Sequence, residues 1–115
     1  MLNYYNTDDL YEMLKERTPE NMLVPRWLLP NVKGNHGSGS IILYSVLLNQ
    51  LLENFINNKE LVDENDVSYI IPNNDEIEDS LNEPVTPFYK KLANYNLIRQ
   101  DKERVYLLRP DNWNA

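Results

Sequence analysis

One long amphipathic segment, residues 41–55, constrains the fold more than any other feature of the sequence. Its apolar residues recur at helical spacing in a broad stripe: Ile41, Tyr44, Leu48, Leu51, Leu52 and Phe55, thickened by Val46 and Leu47. Ser40 precedes the segment and can cap a helix. Because so broad a stripe must be covered by other elements, the sequence predicts a central, largely buried helix.

Length and composition exclude several classes of protein. With 115 residues and 42% hydrophobic residues, the chain can bury one self-sufficient core and has little room for a second. It has no cysteine, which excludes disulfides, thiolate metal sites and a cysteine nucleophile. Polar residues such as Arg26 and Ser45 interrupt the apolar stretches, and the acidic start lacks the pattern of a signal peptide. We expect a soluble cytoplasmic protein with no membrane partner.

The first 39 residues predict a helix, an arm and a loop. Residues 8–17 form an amphipathic helix that Asn6 or Thr7 can cap. Residues 22–30 contain two prolines and favour an extended apolar arm. Residues 33–39 hold all three glycines and predict a loop. We therefore divide the chain into this N-terminal part, residues 1–39, and a main domain, residues 40–115.

The segment after the central helix predicts a strand pair and a short helix. Residues 61–71 are typical of two short strands around a polar turn. Residues 75–81 predict an acidic helix that Asn73 or Asn74 can cap.

The last third predicts a second short helix and a hairpin. Thr86 as N-cap, followed by Pro87, favours a helix that reaches about residue 95. Runs of β-type residues at 97–100 and 104–108 flank a polar turn. The order of elements is that of an α+β winged helix-turn-helix with an added N-terminal helix and arm.

The net charge of −7 is an average over two unlike parts of the chain. Residues 86–109 contain 6 basic and 2 acidic residues, a net charge of +4, whereas the remainder has 5 basic and 16 acidic residues, a net charge of −11. The positive part coincides with the predicted recognition helix and wing, which touch DNA in this architecture. The candidate nucleic-acid-binding residues are Thr86, Tyr89, Lys90, Lys91, Asn94, Arg99, Lys102 and Arg104. A solvated, charged face is the alternative.

The acidic helix restricts which form of nucleic acid this positive surface can bind. Its carboxylates, at residues 75–79, would stand near the phosphates of a bound duplex. We therefore expect single-stranded DNA, or a duplex bound weakly.

No pattern of catalytic or metal-binding residues is present in the sequence. His36 is the sole histidine, and no predicted base or nucleophile accompanies it. The last glycine of the segment is not followed by the Lys-Ser or Lys-Thr pair that completes a P-loop. The acidic residues do not follow a calcium-loop pattern. We expect no enzyme activity, no cofactor and no metal.

Four aromatic residues lie in or near the arms: Tyr4, Tyr5, Trp27 and Trp113. Tyrosine and tryptophan are favoured anchors of protein interfaces. These residues are candidates for a homodimer contact or for docking on a replication enzyme, and packing of the arms onto their own domain is the alternative.

Several segments resemble a known family. They are residues 24–28 (VPRWL), 42–48 (ILYSVLL), 61–71 (LVDENDVSYII), and 90–92 (KKL) with 96–98 (NLI). Together they resemble the N-terminal winged-helix domain of plasmid replication initiator proteins from low-GC Gram-positive bacteria. The resemblance covers about residues 22–100. It implies DNA binding and a role in the replication of a plasmid or other mobile genetic element. Because these initiators continue into further domains, we expect a stand-alone accessory protein.

Two functions from different classes remain open at this stage. The first is a small DNA-binding protein that assists a primase, polymerase or helicase. The second is an acidic interaction module, an adaptor or a DNA-mimic inhibitor, that docks on a basic nucleic-acid enzyme.

Overall fold

The computed structural model describes residues 3–17 and 22–109 and confirms the α+β class. Its helices are α1 (Thr7–Glu16), α2 (Leu28–Asn31), α3 (Gly37–Ile56), α4 (Asn74–Leu81) and α5 (Thr86–Asn94). Its strands are β1 (Leu61–Val62), β2 (Ser68–Tyr69), β3 (Ile98–Asp101) and β4 (Arg104–Leu107).

Helix α3 is the central buried helix that the sequence predicts. Leu43, Tyr44, Leu48 and Leu52 have no exposed surface, and the other elements pack around them. Its buried serine hydroxyls are satisfied within the same segment, since Ser45 Oγ donates to the Ile41 carbonyl at 2.8 Å and Ser40 Oγ to the His36 carbonyl at 2.7 Å. The core therefore surrounds this helix, as its broad stripe requires.

Helix α3 begins at Gly37, inside the segment predicted to be a glycine loop. Gly37 N–H donates to Gly34 O at 3.0 Å, and His36 adopts a left-handed φ of 64° directly before the helix. The loop is thus a tight turn, and the boundary proposed after residue 39 falls within α3. Residues from both sides of that boundary, such as Leu10 and Leu92, belong to one core cluster.

By length and composition alone, α3 is the one helix among the described residues that could cross a membrane. Half of the apolar stretch is buried inside the protein. Within it, the Asn49 side chain pairs with the backbone of Leu23, accepting from its N–H at 3.0 Å and donating to its carbonyl at 2.8 Å. The apolar character of α3 thus serves the protein core.

Of the two N-terminal elements, helix α1 agrees with the sequence prediction, whereas the arm differs from it. Helix α1 has a capping box, in which the side chains of Asn6 and Asp9 each accept from the other's backbone N–H. The predicted extended arm instead contains the single helical turn α2, so this prediction was wrong. Pro30 is tolerated there because a residue in the first turn needs no intrahelical N–H partner.

Two antiparallel hairpins form the β part, as predicted. In the first, Leu61 lies opposite Tyr69; in the second, Ile98 lies opposite Leu107. A bridge joins the hairpins, because Ile70 and Val105 exchange backbone hydrogen bonds of 3.0 and 2.8 Å. The C-terminal hairpin is therefore fixed to the first hairpin as well as to the helices.

Asp63 stabilises the turn of the first hairpin, which contains no glycine, the residue usual in such turns. Its Oδ1 accepts from the N–H groups of Asn65 and Val67 at 2.8 and 3.0 Å, while Asp66 takes a left-handed φ of 61°. Its Oδ2 accepts from the Tyr106 hydroxyl at 2.8 Å. The backbone hydrogen bond from Val67 and that hydroxyl hold the pKa of Asp63 below its usual value.

Gly39 permits a close approach between α3 and α5. A Cβ added at this glycine would lie 2.3 Å from ring atoms of Phe88. Such contacts do not occur in real structures, so either the ring or helix α5 would have to move.

We predict that Gly39→Ala destabilises the protein by ~1–3 kcal/mol, because the new methyl group overpacks the contact with Phe88. Urea unfolding measures this loss. In a Phe88→Leu background the same change should cost less, since the smaller side chain leaves space. Equal losses in both backgrounds would contradict a direct contact.

We predict that Asp63→Asn lowers stability at pH 7 and that this loss shrinks in acid. Asparagine keeps an acceptor oxygen for the turn but loses the charge. Because the folded-state pKa is lowered, the charge stabilises the fold above the unfolded value of 3.8, and this contribution disappears as the pH falls through the folded-state pKa. Urea unfolding at several pH values tests this. A difference that is independent of pH would refute it.

Candidate nucleic-acid interface

Helix α5 presents one buried and one outward face. Phe88, Tyr89 and Leu92 are buried, whereas Thr86, Lys90 and Asn94 are exposed and Lys91 is half-buried. The helix begins at Thr86, so Val85 and not Thr86 occupies the N-cap position, which corrects the predicted cap by one residue.

Two hydrogen bonds join α5 to the preceding helix. Glu78 Oε2 in α4 accepts from Val85 N–H at 2.8 Å, and Asn74 Oδ1 accepts from the Tyr89 hydroxyl at 2.6 Å. These bonds and the buried face hold α5 in one orientation.

Tyr89, predicted to contact nucleic acid, is only 6% exposed. Burial raises the pKa of its hydroxyl to about 12. It follows Phe88 directly, and both rings lie on the core side of the helix. The structure assigns this ring a packing role, which leaves no face for stacking on a base.

An open groove of about 440 Å³ runs between α5 and the turn before α3. Its lining comes from both elements: Asn35, His36, Thr86, Pro87, Lys90, Lys91 and Asn94. Among these residues are two lysines and no carboxylate. In a chain of net charge −7, this groove is a local site of positive charge.

Gly34 has a left-handed backbone conformation that favours glycine, and it lies next to Lys91 of α5. Its φ is 82°, and a Cβ there would stand 3.7 Å from Lys91 Nζ. The ammonium group of Lys91 also lies 5.4 Å from the centroid of the Tyr95 ring. These neighbours restrict Lys91, while Lys90 extends from the exposed surface.

The predicted basic residues of the C-terminal hairpin lie against tyrosine rings. The Arg99 guanidinium is 4.0 Å from the centroid of Tyr106, and its Nε donates to the Tyr4 hydroxyl at 2.9 Å. The Arg104 guanidinium lies 4.4 Å from the centroid of Tyr69. Stacking keeps the charge of both arginines but fixes their position.

The remaining basic residues of this region differ in their surroundings. Lys102 is exposed in the turn between β3 and β4, with a left-handed φ of 58°. Arg109, in contrast, lies 3.3 Å from Asp9, which offsets part of the positive charge counted in the sequence.

The predicted site residues therefore divide between two places. Thr86, Lys90, Lys91 and Asn94 line the groove. Arg99, Lys102 and Arg104 belong to the C-terminal hairpin.

The aromatic residues predicted to bind a partner lie mostly in the protein's own core. Tyr5 and Trp27 are 6% and 7% exposed, and Trp27 packs edge-on against Tyr44 with ring centroids 5.6 Å apart. Tyr4 is half-buried against Tyr106. Trp113 lies outside the described residues. The described aromatic residues of the arms thus pack onto their own domain, so the interface role predicted for Tyr5 and Trp27 is corrected to a packing role.

The fold is similar to that of a known initiator protein. A solved structure of an MDR initiator is 26% identical to this chain, with a TM-score of 0.59; the match covers 94% of this chain and 87% of that one. The chain has a replication-initiator-like fold. No protein-family model matches it, and no curated protein does. The initiator-like fold supports a replication-related role at a coarse level.

Sequence reasoning missed the contribution of Asn35 and His36 to the groove. Both were assigned to a loop without a function, because the three glycines hid the early start of α3. A usable signal is the spacing of Gly34 and Gly37, which allows a tight turn directly before a helix.

Proposed function

We propose that this chain is a winged-helix DNA-binding protein that acts, without catalysis, in the replication of a mobile genetic element in the cytoplasm. The observation that carries the proposal is the groove beside α5, which is lined by two lysines and no carboxylate. Phosphates are the dominant source of affinity for nucleic acid, and lysine side chains neutralise them.

The order and packing of the elements support the winged-helix assignment. Helix α4 ends at Leu81, and α5 starts five residues later at Thr86, so the connection is as short as in helix-turn-helix proteins. The hairpin of β3 and β4 follows at once and packs on α5 through the core. In this reading α5 is the recognition helix and the hairpin is the wing.

The acidic surface of α4 supports a preference for single-stranded DNA or for a weakly bound duplex. Asp75, Glu76 and Asp79 are exposed on the helix that precedes the recognition helix. A duplex that crosses both helices would bring its phosphates towards these carboxylates, whereas a single strand can follow the groove alone.

The replication role draws on the initiator-like fold and on the resemblance of the sequence to plasmid initiators. The DNA contact itself rests on the lysines of this chain.

We predict that Lys90→Glu with Lys91→Glu abolishes DNA binding, because both changes place negative charge in the groove. Fluorescence anisotropy of labelled single-stranded and duplex oligonucleotides at two salt concentrations measures this, and wild-type binding should weaken with salt.

The matched control is Lys15→Glu with Lys59→Glu, which changes the charge equally. Lys59 follows the C-terminal end of α3, about 30 Å from the groove at its N-terminal end. Lys15 lies in the last turn of α1, two residues before Arg17. The ion pair of Arg17 with Glu53 holds this end of α1 near the C-terminal end of α3. Equal losses in both variants would show a general charge effect. No wild-type binding at low salt would overturn the proposal and favour the acidic interaction module.

A further inference from the structure

We propose that the turn of residues 34–36 is part of the DNA interface and that the groove it forms with α5 holds a backbone phosphate of the DNA. This inference rests on the proposed function. It extends the interface beyond the helix and hairpin expected to touch DNA in a winged helix, and it gives His36 a role.

Hydrogen bonds and a ring contact fix the conformation of the turn. Gly37 N–H closes it by donating to Gly34 O at 3.0 Å. The carbonyl of His36 accepts from both Ser40 N–H at 2.9 Å and Ser40 Oγ at 2.7 Å. The His36 ring packs edge-on against Phe88, with centroids 5.9 Å apart. These contacts hold Asn35 and His36 beside α5.

The groups around the groove are those that bind phosphate. The two lysines supply positive charge, and the side chains of Asn35, Asn94 and Thr86 can donate hydrogen bonds. The imidazole of His36 adds a further ring N–H donor. No carboxylate in the lining would repel an anion.

A phosphate fits this lining better than a base does. Stacking requires an exposed aromatic face, and Phe88 and Tyr89 of α5 are buried. The exposed Tyr95 ring does not line the groove and lies against the ammonium group of Lys91. The volume of about 440 Å³ leaves room for the sugar attached to the phosphate. The groove thus contacts the backbone and adds affinity without sequence preference.

The sole histidine of the chain makes a direct test simple. The ring C–H signals of His36 can be followed by NMR without ambiguity while an oligonucleotide is added. We expect them to shift saturably, with the same dissociation constant that anisotropy gives. Inorganic phosphate, added alone, should shift them only weakly.

A variant tests the same contact independently. Asn35→Ala should weaken oligonucleotide binding by about 2- to 12-fold, the loss expected for one hydrogen bond. The control is Asn57→Ala, at the far end of α3, which should bind as the wild type does.

Each outcome separates the inference from the proposed function. The inference would be overturned if the wild type binds DNA but its His36 signals do not move and the Asn35→Ala variant binds equally well. That result would leave the proposed function standing. Absence of DNA binding would overturn both. In that case, saturable shifts with inorganic phosphate would identify a free anion as the ligand.

Discussion

Tyr44 joins three distant parts of the chain through one buried hydroxyl group. This hydroxyl donates to the carbonyl of Leu108 at 2.7 Å, and the Tyr5 hydroxyl, also 2.7 Å away, therefore donates to it. Tyr44 has no exposed surface, and burial raises the pKa of both phenols. A buried hydroxyl must be hydrogen-bonded, so the N-terminal segment and the end of the C-terminal hairpin are held to the middle of α3.

The same helix positions the candidate interface at its N-terminal end. Gly39 brings the Phe88 ring against α3, and this contact sets the distance between α3 and α5. Three residues before Gly39, His36 ends the turn, and its ring packs edge-on against Phe88. The groove therefore depends on how α3 begins, and a change in the core at Gly39 would alter the spacing of its two walls.

Much of the fold could be predicted from the sequence because local signals and tertiary packing agree there. The stripe of α3, the caps Asn6 and Asn73, and the two hairpins all lie where the pattern places them. The errors arose where tertiary contacts decide the outcome. Tyr89 looks like an exposed residue beside two lysines, but its hydroxyl finds Asn74 in α4 and the ring becomes buried.

The site was less predictable than the fold, since its residues come from separate segments. The lysines of α5 follow from charge and helical spacing. The turn opposite them does not, because no periodic pattern shows that residues 34–36 approach α5. The sequence likewise does not indicate that Arg99 lies between Tyr4 and Tyr106.

Hydrogen–deuterium exchange of the chain, with and without an oligonucleotide, tests the central claim most directly. If α5, the turn before α3 and the C-terminal hairpin form one DNA-binding surface, their amides should gain protection together on DNA binding, while those of α4 should not. Protection confined to α4, or none in α5 when DNA is bound, would contradict the account.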